Sequence, residues 1–177
     1  MNKKEQIKTL LSAEQITARI NELANQINSD YAGKSILLIG TLKGAYIFMS
    51  DLSRKLTPPT EIDFLKVSSY GDSTSPTSQV KFQQSPTIEL SGKHVLLVED
   101  IVDTGHTLAF LRKFIHGQNP ASLRVCALLD KPDRREVNLP PCEYLGFSIP
   151  NKFVIGYGLD YAQRYRNLPY IGVLELE

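Results

Sequence analysis

The chain has 177 residues, of which 42% are hydrophobic and 22% charged, and its net charge is +1. That size and apolar content support a single domain over residues 1–177 with one sizeable core. A near-neutral balance argues against a general nucleic-acid binder with a basic surface. No stretch approaches the length of a membrane span, so neither nucleic acid nor membrane is an expected partner.

Met1 to Lys4 begins with charge, as a signal peptide does, but no apolar stretch follows. Leu11, Ile16, Ile20, Leu23 and Ile27 instead recur at helical spacing, with Ser12 as N-cap and Glu14 and Glu22 on the outer face. This predicts a helix covering a sheet. Ser35 to Gly40 reads as a buried strand, followed by the loop Thr41-Leu42-Lys43-Gly44 and an apolar helix from Ala45 to about Leu56. Pro58-Pro59 ends that helix, and Glu61 to Ser69 alternates as a strand does. Ser69-Tyr70-Gly71 opens a polar stretch to about Gln84, which by default is a surface loop or hairpin.

Val95 to Val98 predicts a strand buried on both faces, as in a parallel sheet. Glu99 and Asp100 follow where it should end, then Asp103, then Thr104-Gly105-His106-Thr107. Leu108, Leu111 and Ile115 place a helix from about Thr107. Leu123 to Leu129 is a further strand, ending at Asp130-Lys131-Pro132, and Arg134-Arg135 reads as a solvated charge pair. Residues 133–150 are turn-rich and break the helix–strand alternation; Leu168 to Leu176 closes the chain as an edge strand. Cys126 lies in an apolar run and belongs to the core. With Cys142 it has no metal or disulfide spacing, a pattern compatible with a reducing cytosol and a cytoplasmic protein.

The segment from Glu99 to Thr107 carries chemistry. Open α/β sheets bind ligands at the carboxyl ends of their strands, and a turn opening into a helix offers unpaired N–H groups to an anion. Gly105 between hydroxyl residues lets the backbone approach a phosphate closely. Glu99 and Asp100 are poor phosphate ligands, but two ionised carboxylates accept from a vicinal diol. A phosphorylated sugar satisfies both halves. Asp103, between them, is placed to exchange a proton with whatever the sugar carries. One such Asp alone would read as a helix cap; three acids and a Thr-Gly-x-Thr turn within nine residues read as a site. Lys43 and Gly44 put a cation and a glycine at a second strand end.

The run Val98-Glu99-Asp100-Ile101-Val102-Asp103-Thr104-Gly105-His106-Thr107-Leu108 resembles the phosphoribosyl-pyrophosphate signature of type I phosphoribosyltransferases. A second run, Asn151-Lys152-Phe153-Val154-Ile155-Gly156-Tyr157-Gly158-Leu159-Asp160-Tyr161, through its Gly156-Tyr157-Gly158-Leu159-Asp160-Tyr161 part, narrows the resemblance to the hypoxanthine or hypoxanthine-guanine branch. The likeness extends from about Leu37 to Gly172, with its motifs in family order. It implies an α/β fold, a twisted and mostly parallel sheet flanked by helices. A small hood from about residue 131 to 177, joined by the N-terminal segment, would cover the base site, and a mobile loop would span about 70–86.

The implied roles follow. Asp103, Thr104, Gly105, His106 and Thr107 cover the 5′-phosphate, Glu99 and Asp100 the ribose hydroxyls, and Asp103 is the general base or acid at purine N7. Leu42, Lys43 and Gly44 bind pyrophosphate through a loop that in the family often holds a non-proline cis peptide, and Arg166 clamps the same group. Ser69 and Tyr70 belong to a lid that excludes water. Lys131, a donor-only side chain, selects the 6-oxo group of a purine, Phe153 stacks on its ring, and main-chain groups near Val154 read its edge. Asp160, at the base end, also ligates Mg²⁺ with Glu99 and Asp100. The implied substrates are phosphoribosyl pyrophosphate and a 6-oxopurine, the implied assembly a homodimer or homotetramer. His106 occupies a position that varies in the family and adds a donor near the phosphate.

Two rivals stay open. A transferase for another base shares the central motif but should lack Lys131 with Phe153 in this context. A non-catalytic regulator of the same fold, binding the sugar pyrophosphate or a purine nucleotide, usually has a degraded acid set, whereas Glu99, Asp100, Asp103 and Asp160 are all present. A flavodoxin-like receiver or a sugar-phosphate phosphatase explains an acidic strand end, but not a phosphate cradle joined to an aromatic base platform. The ranking of hypoxanthine against guanine is not in the sequence.

Overall fold

Ser12 caps the first helix through a reciprocal pair: Gln15 N–H donates to its hydroxyl, and its own N–H donates to the Gln15 side chain. This computed structural model of the protein describes residues 5–70 and 79–176. In chain order the elements are β1 (Glu5–Leu11), α1 (Ala13–Asp30), β2 (Ile36–Leu42), α2 (Tyr46–Ser53), β3 (Thr60–Tyr70), β4 (Gln79–Gln84) and β5 (His94–Val102). Then come α3 (His106–His116), β6 (Ser122–Asp130), a 3-10 turn at Pro132–Arg134, β7 (Tyr144–Ser148), β8 (Val154–Ile155) and β9 (Ile171–Leu176).

Six strands form the main sheet in the order β4-β3-β2-β5-β6-β7, all parallel except β4, which is antiparallel to β3. Side chains alternate along each strand, so each buried run feeds two cores. Ile36, Leu38, Leu96, Val98, Cys126 and Leu128 pack with α1 and α2 on one face. Leu37, Ile39, Val95, Leu97, Val125 and Ala127 pack against Leu108, Leu111 and Ile115 of α3 on the other. The fold is therefore the α/β arrangement expected: a mostly parallel sheet between helices. From β2 the chain moves out to β3, then returns to lay β5, β6 and β7 on the opposite side. The β2/β5 junction is thus the topological switch point, where an open α/β sheet has its crevice.

Several boundaries differ from the sequence reading. β5 does not stop before the acids; it pairs with β6 as far as Val102↔Asp130, while its ladder with β2 ends at Gly40↔Val98. Glu99 and Asp100 therefore lie inside a strand that has lost one neighbour. β1, absent from the helical reading of the N-terminus, pairs with β9 some 160 residues away, a partner that local periodicity cannot reveal. β9 is correspondingly the middle strand of a small sheet, β1-β9-β8, rather than an edge. β7 lies in the segment expected to build the hood, yet it extends the main sheet beside β6. Gln79–Gln84, inside the span expected to be a mobile loop, is a strand on β3, and residues 71–78 of that span lie outside the described residues.

Candidate active site

The parallel register brings the carboxyl ends of β2, β5 and β6 side by side. After β5, the chain turns at Gly105, whose φ of 94° is open to glycine and costly for other residues. Gly105 caps α3, so the turn Thr104 to Thr107 wraps the helix N-terminus, where free N–H groups and the helix dipole favour an anion. After β2, the Leu42–Lys43 peptide is cis, and Ala45 N–H donates back to the Thr41 carbonyl at 3.1 Å. The two turns face each other across a cavity of about 280 Å³, lined by Thr41, Leu42, Gly44, and most of the stretch from Glu99 to Leu108.

The acids differ sharply in environment. Glu99 is 4% exposed, and its Oε1 has no hydrogen-bond partner among the described residues; neither has the buried Thr41 hydroxyl. Burial, reinforced by the Asp100 charge, pushes the Glu99 carboxyl up to about 8. Asp100 rises to about 6, also through burial, although the Ile101 N–H at 2.9 Å stabilises its ionised form. Its carboxylate occupies the place a Cβ on Gly44 would take. Asp103 is half-exposed at the mouth, with Arg134 Nε 3.1 Å from its Oδ1. The stretch thus holds a buried acid, Glu99, a partly buried one, Asp100, and a third, Asp103, open to solvent.

The tail reaches the same crevice. Arg166 pairs with Asp160 Oδ1 at 2.7 Å and donates to the Gly158 carbonyl at 2.7 Å. Both Asp160 and Arg166 lie close enough to bias the Asp100 carboxyl electrostatically. Gln163 joins them: its N–H donates to Asp160 Oδ2 at 2.8 Å, and its side-chain oxygen accepts from Lys43 Nζ at 3.2 Å. β1 anchors this tail, since Glu5 accepts from Arg164 at 2.6 Å and from the Tyr165 hydroxyl.

On the other side, Lys131 is 7% exposed and its N–H donates to the Val102 carbonyl at 2.9 Å. Burial lowers the Lys131 ammonium, opposed by the neighbouring Asp103 charge. Phe153 is 53% exposed, with Tyr161 edge-on at 5.8 Å. An aromatic ring so exposed has a free face for a flat ligand. Val154 is buried in β8, an edge strand of the small sheet, so one side of its backbone is unpaired in the ladder. Of the expected site residues, Lys43, His106, Lys131, Phe153, Val154, Asp160 and Arg166 do not line the cavity between the two turns. Ser69 and Tyr70 end β3 and pair with Val80 and Gln79, but their side chains lie outside the described ones.

Sequence reasoning missed Gln163, Thr41 and Arg135. Arg135 is no solvated partner of Arg134: its Nη1 donates to the Asp103 carbonyl at 2.7 Å and its Nη2 pairs with Asp130. Nothing in the spacing of a charged surface segment announces such a contact. Glu136, beside it, holds His106 Nε2 at 3.0 Å, which turns that histidine toward the 136 side chain.

A family model of the phosphoribosyl transferase domain matches residues 6–162, and the chain belongs to that family. Within it, the chain is 47% identical over 175 residues to the hypoxanthine phosphoribosyltransferase of Salmonella typhimurium, covering 98% of each. It is 50% identical over 172 residues to the hypoxanthine-guanine phosphoribosyltransferase of Mycobacterium bovis, covering 94% of this chain and 85% of that one. A solved hypoxanthine-guanine phosphoribosyltransferase from Bacillus anthracis superposes with a TM-score of 0.90 at 43% identity, over 97% of this chain and 100% of that one.

Proposed function

We propose that this protein is a purine-salvage enzyme that transfers the 5-phosphoribosyl group of 5-phosphoribosyl 1-pyrophosphate to N9 of hypoxanthine or guanine. The products are the nucleoside monophosphate and pyrophosphate. The observation that carries the reading is a cavity at the switch point that joins a helix-capped anion turn to the buried Glu99 and its neighbour Asp100, with the buried Lys131 held beside it on the Val102 carbonyl. The end-to-end likeness to hypoxanthine phosphoribosyltransferases supports the choice of base.

In this reading N9 of the purine attacks the anomeric carbon as the bond to pyrophosphate breaks and the leaving group takes the electron pair. The purine loses its N7 proton to Asp103, a contribution of typically ~10²–10⁴-fold. Residues 103–107 hold the 5′-phosphate on their N–H groups and hydroxyls. Glu99 and Asp100 accept from the ribose hydroxyls; Lys43, Gly44 and Arg166 hold the departing pyrophosphate. Lys131 donates to the 6-oxo group while Phe153 stacks on the ring, which selects against a 6-amino purine. Ser69 and Tyr70 close the site against water.

Mg²⁺ belongs to the proposal. The donors are all carboxylate oxygens, and Glu99 Oε1 has no protein partner among the described residues, as a group reserved for a ligand should be. Among the described residues no three such side chains converge, which suits an ion that takes most of its oxygens from substrate and water. Its protein oxygens would come from Asp160, Glu99 and Asp100, no more than two of them at once. When bound, Mg²⁺ neutralises the charge that builds on pyrophosphate.

We extend the reading to a cytoplasmic homodimer or homotetramer. Two free cysteines fit a reducing compartment, and among the described residues no helix is long and apolar enough to cross a membrane. Tyr46 of α2 and Ile62 of β3, 43% and 48% exposed, offer apolar surface to a partner copy. Light scattering after size exclusion reads the assembly directly.

The deciding experiment is pyrophosphate release with phosphoribosyl pyrophosphate, Mg²⁺ and each of hypoxanthine, guanine, xanthine and adenine. Turnover with hypoxanthine or guanine and none with adenine is the expected result. Turnover with adenine alone means a transferase for another base. Silence with all four, alongside measurable binding of the sugar pyrophosphate, means a regulator.

A further inference from the structure

Three successive main-chain carbonyls at the end of β5 each accept from one short segment, residues 131–136. Val102 O accepts from Lys131 N–H at 2.9 Å, Asp103 O from Arg135 Nη1 at 2.7 Å, and Thr104 O from Glu136 N–H at 3.0 Å. The ladder between β5 and β6 ends at Val102↔Asp130. The Arg135 guanidinium spans the next step, from the Asp130 carboxylate at the end of β6 to the Asp103 carbonyl beyond β5. It is a side-chain rung added where the backbone ladder stops. Both Arg135 and Asp130 are largely shielded, their side chains 24% and 20% exposed.

Those carbonyls decide where the amides point. In a trans peptide the C=O of one residue and the N–H of the next face opposite ways, and the one cis bond among the described residues is Leu42–Lys43. Fixing the carbonyls of Asp103 and Thr104 toward residues 135–136 therefore turns the N–H groups of Thr104 and Gly105 away from that segment. Asp103, Thr104 and Gly105 line the cavity between the two turns. The same segment leaves no room behind the turn: a Cβ at Gly105 would stand 2.9 Å from Val137 and Leu139 and 3.0 Å from Arg135.

We propose that Arg135 is a positioning residue, which orients the phosphate-binding amides and the Asp103 side chain by holding the Asp103 carbonyl against Asp130. The assignment rests on the phosphoribosyl-transfer reading of the site. A planar fork suits the task because its two donors have a fixed spacing; a lysine ammonium keeps the charge but offers only a point. Arg135 touches no substrate in this scheme.

The test is Arg135→Lys, which leaves net charge unchanged, with three readouts. The first is affinity for ribose 5-phosphate, a probe of the cradle alone, expected to weaken ~10–100-fold, the range of one charge-assisted hydrogen bond. The second is hydrogen exchange of the amides of residues 103–107, expected to speed up selectively while α1 keeps its protection. The third is kcat in wild-type and Asp103→Asn backgrounds: the substitution lowers kcat in the first and leaves it nearly unchanged in the second, where no base is left to misplace. Unaltered ribose 5-phosphate affinity and unaltered exchange at 103–107 overturn the proposal, as does an equal loss of kcat in both backgrounds. If the wild-type protein turns over no base, the functional reading fails, and the first two readouts still decide the role of Arg135.

Discussion

The carboxylate of Asp100 stands where Gly44 has no side chain, so the turn after β2 and the end of β5 touch through a missing Cβ. Substituting Gly44 with Ala forces either Asp100 or the turn to move. Displacement of about 1 Å at a reacting centre costs on the order of 10²-fold. Gly44→Ala should therefore lower kcat/KM for the sugar pyrophosphate by about that factor. The fold should survive, since the contact lies at the rim of the sheet and not in either core; circular dichroism and steady-state kinetics on the same preparation check both halves.

Asp103 is half-exposed and ion-paired with an exposed Arg134, so it contributes little to stability. Asp103→Asn preserves shape and removes the proton acceptor. Turnover should fall ~10²–10⁴-fold with nearly normal binding of phosphoribosyl pyrophosphate by calorimetry. Near-normal turnover refutes the role.

Glu99 supplies a pH signature. Its carboxyl is raised from 4.5 to about 8, so between these values the folded protein keeps a proton that the unfolded chain releases. Stability is then fully present below pH 4.5 and is lost progressively as pH rises through about 8, on account of burial first and the Asp100 charge second. Glu99→Gln removes this dependence. Its melting temperature relative to wild type should rise between pH 5 and pH 9, by the equivalent of a few kcal/mol at most, while activity is lost. Parallel melting curves across that range contradict the assignment.

Phe153 exposes half its surface, so truncating it leaves the core intact. Phe153→Ala should change stability by less than ~0.5 kcal/mol. If the ring stacks on the purine, the loss should appear as a ~10–100-fold rise in KM for the base, the equivalent of one base–aromatic stack. The KM for phosphoribosyl pyrophosphate should stay within about twofold. A shift in both constants together would place Phe153 elsewhere in the mechanism.

Much of the architecture was legible because local patterns are local physics. The buried runs of β2, β5 and β6 and the helical spacing of α1 and α3 follow from side-chain periodicity alone. The acid run with its Thr-Gly-x-Thr turn was equally plain, since a phosphate cradle at a helix start is made by adjacent residues. What the chain's order could not disclose are relations between distant residues. β1 finds its partner in β9, Arg135 reaches back to the Asp103 carbonyl, and Gln163 joins Lys43 to Asp160. Arg135 looked solvated because a run of charges between turns usually is; its fork meets a carbonyl and a carboxylate only after β5 and β6 pair.

By itself, then, the amino-acid sequence determined the alternation of buried strands and helices, the acid-bearing strand end and the identity of the chemical groups, because hydrophobic period and turn chemistry act over a few residues. Tertiary structure alone decided that Glu99 is buried and easily neutralised while Asp103 stays solvated. It also decided that Gly44 abuts Asp100 and that Arg135 donates to the Asp103 carbonyl. Those properties depend on dielectric surroundings and on distances between strand ends, and both exist only once the sheet has closed.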